Sequence, residues 1–160
     1  MQVNRRDADY HQEQPERMED IDRIAVAILQ IAYSGSRAQT FASQGLIQMD
    51  CVAVYKSGSE FVVASNTVSL TSEIVLRAWD TLGGRPTRGM TVTIAHGPTG
   101  MHAEMKIVSY FIQIHKEMQG LKLGVSKPCC TECAVELDRR GIVYSTTHST
   151  PNRGVWIAPG

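Results

Sequence analysis

The sequence predicts an α/β fold, a three-layer α/β/α sandwich around a mixed five-stranded sheet. Three observations predict it. Segments with helical and strand periodicity alternate along the chain. The order runs helix, two strands, a variable insertion, helix, strand, helix, strand, strand. A short polar turn separates the last two strands, which favours an antiparallel pair because a parallel pair needs a longer crossover.

Each element has its own signal. Residues 18–33 place Ile21, Ile24, Ala25, Ile28, Leu29 and Ala32 at helical spacing, and Glu19, Asp20 and Asp22 sit near the start, where the helix dipole favours acids. Ser34-Gly35-Ser36 is a stop signal. Residues 50–56 and 60–65 are short, β-branched and apolar. Ser57-Gly58-Ser59 between them makes a hairpin. Residues 71–82 form a weaker helix through Ile74, Val75, Ala78, Trp79 and Leu82. The Gly-rich stretch 83–89 is a loop, and 91–95 is a further strand. A long helix is expected over about 102–118, with Met105, Val108, Ile112 and Met118 along one face and Ile107, Phe111 and Ile114 beside it, ended by Gly120. A strand at 121–126, a helix at 131–140 ended by Gly141, and strands at 142–145 and 155–158 complete the chain.

The 160 residues suit one domain, 18–160, preceded by a polar tail, 1–17. Apolar residues make up 42 % and charged residues 20 %, an ordinary balance for a soluble globular protein. Lysine plus arginine equals aspartate plus glutamate at 16 each, so net charge selects neither nucleic acid nor acidic surfaces as partners. No run of about 18 apolar residues exists to span a membrane. Three of the four cysteines, Cys129, Cys130 and Cys133, fall together, unlike a disulfide scaffold. Such clustering points to metal or redox chemistry in a reducing compartment.

Two segments carry the chemistry: His102-Ala103-Glu104, opening a helix, and Lys127-Pro128-Cys129-Cys130-Thr131-Glu132-Cys133, between a strand and a helix. One imidazole and two thiolates hold zinc well and leave a fourth position for water. Cys130 and Cys133 are three apart, so at a helix start both sulfurs can face one point. Zinc lowers the pKa of its water, and Glu104, two residues beyond His102, can relay protons without binding the metal.

These segments resemble the cytidine deaminase superfamily, whose signature is H-x-E followed by P-C-x-x-C with the Glu not a ligand. Here the second motif reads P-C-C-x-x-C. The C-x-x-C pair is therefore Cys130 and Cys133, Cys129 is an extra residue, and Pro128 is shifted by one. The double-cysteine form is similar to compact deaminase domains at the ends of bacterial polymorphic toxins. The resemblance covers roughly residues 20–158. It implies a cytidine deaminase-like fold with Zn2+ held by His102, Cys130 and Cys133. Zinc hydroxide would attack C4 of cytosine or C6 of adenine, with Glu104 as the proton carrier. On the substrate side it implies Asn66 after the second hairpin strand, the backbone N–H of Ala103, and Pro128.

The implied function is hydrolytic deamination of a nucleobase, cytosine in single-stranded DNA foremost, by a toxin-type effector. Its site of action is the cytoplasm, reached as the delivered domain of a secreted toxin, and its partner is an immunity protein. Free nucleosides or nucleotides, another amino-heterocycle, and a non-enzymatic zinc-stabilised module remain as alternatives. So do a closed four-ligand site that adds Cys129, and a Cys130–Cys133 redox dithiol. Cys51 reads as core, Cys129 as packing beneath the site, Glu132 as a helix-start charge, and Trp79 as core. His96, His115 and His148 read as surface. His148, Asn152 and Trp156 lie near the final hairpin, which borders substrate in such folds. Arg85 and Arg88 lie on a loop that could meet phosphate.

Overall fold

The computed structural model describes residues 17–33, 50–84, 89–145 and 155–160. Four helices and four strands form in these segments: α1 (Met18–Tyr33), β1 (Val52–Ser57), β2 (Glu60–Ser65), α2 (Ser72–Thr81), β3 (Thr91–Ile94), α3 (Ala103–Gln113), β4 (Leu123–Val125) and α4 (Thr131–Arg139). Of the expected tail only Arg17 is described. Ser34-Gly35-Ser36, Arg85, Arg88, His148 and Asn152 lie outside the described residues.

The sheet is mixed, in the order β3-β2-β1-β4. β1 and β2 form the predicted hairpin, pairing Val52 with Ser65 through Ser57 with Glu60. β4 joins β1 antiparallel and β3 joins β2 in parallel. Successive strand residues face opposite sides, and the apolar clusters divide accordingly. Ala53, Tyr55, Val62 and Ala64 pack with Met105, Val108 and Phe111 of α3 and Cys133 and Leu137 of α4. Val52, Val54, Phe61 and Val63 pack with Ile21, Ile24 and Ile28 of α1 and Val75 and Ala78 of α2.

α1 forms where the periodicity put it, burying Ile21, Ile24, Ala25, Ile28 and Leu29. Asp22 does more than favour the dipole. Its Oδ1 accepts the Val125 N–H at 2.8 Å and its Oδ2 accepts the Ser145 hydroxyl, so one carboxylate fastens α1 to the sheet edge. Gly124 lets α1 approach β4 closely, since a Cβ there would meet Ile21 backbone atoms.

Three expectations are corrected. The helix expected over 102–118 stops at Gln113. His115 adopts φ 56°, its N–H donates to the Ile112 carbonyl at 3.2 Å, and the Lys116 N–H reaches the Phe111 carbonyl at 2.9 Å. These two bonds make a Schellman motif, with histidine in the place that Gly83 and Gly141 take after α2 and α4. The segment 142–145 makes a single bridge, Val143 to Lys122, and it is parallel. Residues 155–158 form no strand. Trp156 and Ile157 pack against the apolar cluster that includes α3 and α4 instead, so the expected antiparallel pair is not formed, and four strands are present among the described residues.

Candidate metal centre

Both ligand-bearing helices begin on a ligand. His102 is the N-cap of α3, with extended backbone (φ −67°, ψ 152°) and no side-chain capping bond. Cys130 is the N-cap of α4 (φ −71°, ψ 167°), and its sulfur accepts the Cys133 N–H at 3.4 Å. An N-cap side chain points back over the open end of its helix, so the two helix starts aim their side chains at one point. His102 Nδ1 lies 3.2 Å from Cys133 Sγ and 3.4 Å from Cys130 Sγ. The three ligand atoms lie within 4.8 Å of one another, and this is the one such group among the described residues. Cys129 is buried but outside the group, so the closed four-ligand arrangement is not formed.

One imidazole nitrogen and two sulfurs, converging and largely buried, fit a divalent metal such as zinc. With no cation present, the electrostatics here oppose thiolates. Burial first, then the charge of Glu104, pushes the Cys133 thiol well above its ordinary range, with the Trp156 N–H opposing. Burial likewise raises Cys130, against the Cys133 amide that lowers it. A cation at the convergence reverses this balance, since a coordinating thiol is deprotonated.

Glu104, in the first turn of α3, is buried at 3 % exposure and is not in the ligand group. Two further thiols flank it. Cys51 Sγ approaches Glu104 Oε1 at 4.0 Å. Cys129 hydrogen-bonds Glu104, and burial followed by the Glu104 charge holds its thiol far up. Both cysteines read as packing residues from sequence, and residue type alone carries no sign that they border the carboxylate. Cys51 too is raised by burial first and by Glu104 second.

Asn66 closes the hairpin beside this carboxylate. Its Oδ1 accepts the Cys51 N–H at 2.7 Å and its own N–H donates to the Cys51 carbonyl at 3.2 Å. Both bonds run across the open end of the hairpin to Cys51, so Asn66 ties the two strands together. The same end of the sheet carries Ser126, whose Oγ accepts the Val52 N–H at 2.9 Å, and then Lys127. The Lys127 amino nitrogen is buried without a hydrogen-bond partner. Burial lowers its pKa, opposed by nearby Cys51 and Asp50. A buried cationic nitrogen without a partner is costly, and nothing in the residue type of Lys127 announces it. Ala103 is fully buried behind His102, whereas Pro128 is exposed.

Trp156 is half-buried against the apolar cluster that holds the cysteines, and its Nε1–H donates to Cys133 Sγ at 3.4 Å. Of the remaining sequence candidates, His96 is exposed and His115 ends α3. Trp79 packs edge-on to Phe61 as core. No helix among the described residues is long and apolar enough to cross a membrane. Comparison of the chain with known proteins finds no matching family model, no matching curated protein and no matching solved structure.

Proposed function

We propose that this chain is a zinc-dependent nucleobase deaminase that converts cytosine to uracil, with single-stranded DNA as the favoured substrate. The observation that carries the reading is the convergence of His102, Cys130 and Cys133 while Glu104, two residues from the histidine, is buried outside the ligand group. A structural zinc site has no need of a buried carboxylate that does not bind the metal. A hydrolytic one needs a proton carrier in that place. The finer architecture that goes with this reading is a three-layer sandwich in which the 142–145 segment extends the sheet beyond β4 as a fifth strand, of which the Val143 bridge is the beginning.

Zinc held by His102, Cys130 and Cys133 would supply water of lowered pKa. The chain does the rest. Glu104 takes a proton from the attacking water, delivers it to N3 of the ring as the new C–O bond forms at C4, and passes the second proton to the amino group as the C–N bond breaks. Water and cytosine thus become uracil and ammonia. The flanking Cys51 and Cys129 thiols keep Glu104 oriented. Asn66, fixed through its oxygen to Cys51, the Ala103 N–H and the loop at Pro128 border the base. Lys127 adds a hydrogen-bond donor on the same side. A base within a polymer must be unstacked to enter such a site. Delivery as a toxin domain into a target cytoplasm, with an immunity protein as partner, belongs to the same proposal.

The test is ammonia release from cytidine, deoxycytidine, adenosine, their nucleotides, and single- and double-stranded DNA and RNA. Wild type and Glu104→Gln are compared, both loaded with zinc. Turnover in the wild type, reduced at least 10³-fold in a variant that keeps its fold and one zinc, is the expected result; the size is of the order that loss of a general acid–base group brings. Equal zinc content with no release from any substrate in the wild type would overturn the reading and leave a zinc-stabilised module.

A further inference from the structure

The last described segment, 155–160, has no regular secondary structure, yet it is tied down along its length. Trp156 donates its indole N–H to Cys133 Sγ at 3.4 Å. Ile157 packs against the same apolar cluster and lies over Gly100, where a Cβ would be 3.7 Å from its Cδ1. The Gly160 N–H donates to Ser109 Oγ on α3 at 3.2 Å. The segment therefore runs as a strap from Cys133 on α4 to Ser109 on α3. Those two helices are the ones whose starts supply all three candidate ligands.

We propose that Trp156 is a positioning residue of the metal centre: its indole N–H fixes the Cys133 sulfur, so that metal affinity and docking of the 155–160 strap depend on each other. The inference rests on the metal reading of the site and is independent of deamination. An indole N–H can only donate. Its bond to sulfur is strongest when the sulfur carries the negative charge of a metal ligand. Groups that hold a ligand from outside the coordination sphere contribute to affinity in this way. Linkage then requires the reverse effect: whatever the strap adds to metal affinity, the metal adds to docking of the strap.

The experiment is zinc affinity by competition with a chromophoric chelator, on wild type, Trp156→Phe and Trp156→Leu. Phenylalanine keeps the aromatic packing and removes only the donor. The expected result is one zinc per chain in all three, bound roughly 10-fold or more weakly by Trp156→Phe, the loss typical of such outer groups. The reciprocal arm uses Trp79→Phe, which leaves Trp156 as the single tryptophan of the two in the sequence. Zinc is expected to shift its emission and to slow carboxypeptidase trimming of the strap. Equal affinity in wild type and Trp156→Phe overturns the inference, because packing alone then accounts for the indole. Unchanged emission and trimming on zinc addition overturn it as well, even if Trp156→Phe fails to fold. No zinc bound by the wild type overturns the metal centre itself, and this inference with it.

Discussion

Alanine at position 124 is the sharpest structural perturbation available. A Cβ built there would lie 2.4 Å from Ile21 Cγ2, 2.5 Å from the Ile21 carbonyl carbon and 2.7 Å from its oxygen. Carbon atoms pack at about 3.5–4.0 Å, so α1 and β4 must separate by roughly 1 Å. Nothing nearby yields easily. Ile21 is fully buried, and α1 is held to the next residue by the Asp22–Val125 bond of 2.8 Å. Overpacking of this kind costs about 1–3 kcal/mol. Loss of unfolded-chain freedom on replacing glycine gives back about 0.4–1 kcal/mol. The net destabilisation is therefore about 1.3 kcal/mol, or roughly 3–5 °C in Tm for a chain of this size. Urea unfolding should show a lower midpoint at unchanged slope. Ile21→Ala in the same chain removes Cγ2, one of the three close atoms, but leaves both carbonyl atoms in the way, so it should recover only part of the cost. A neutral Gly124→Ala, or its full rescue by Ile21→Ala, would refute the claim that backbone contact sets the distance between helix and strand.

Two further outcomes follow from local chemistry. His115→Gly should raise stability by about 0.5–1 kcal/mol in thermal unfolding, because glycine takes the left-handed conformation that costs a histidine energy; a loss of stability would show that the imidazole makes a contact worth more than the strain. Metal-free protein should be stable at pH 7.5 and weaken as the pH climbs past about 9, the ordinary thiol value. Burial raises Cys51 and Cys129 in the folded state, so above that pH the unfolded chain sheds protons which the folded chain keeps. Urea midpoints at pH 7.5 and 10 check this, and Cys51→Ala should flatten the difference.

Much of this architecture is legible before any coordinates. α1 and the β1–β2 hairpin follow from periods of 3.6 and 2, which need only neighbouring residues to define them. The ligand group was readable for the same reason. His102 and Cys130 each begin a helix, and helix starts leave short-range marks in sequence: the Gly/Pro loop before one, the breaker before the other. What the sequence hid depends on partners far along the chain or on unexpected residue types. Left-handed helix ends announce themselves at Gly83 and Gly141, but His115 does the same work without a glycine to mark it. The apolar runs 142–145 and 155–158 look like strands, yet a strand needs a paired neighbour. One of them finds a single bridge, and the other packs only Trp156 and Ile157 inward and leaves Val155 exposed. That Cys51 and Cys129 border Glu104 depends on a contact spanning 53 residues in the first case.

The ligand geometry also fixes an order of events as the chain is made. β1 and β2, with the Cys51–Asn66 closure, precede every candidate ligand in the sequence. His102 follows, then Cys130 and Cys133, and Trp156 reaches Cys133 last, from 23 residues downstream. A ribosome that has just released the hairpin and α3 has therefore released only an incomplete metal cradle. A metal bound by these residues would find its full cradle only after Trp156 has emerged, so it could have no part in guiding β1, β2 and α3 to their fold.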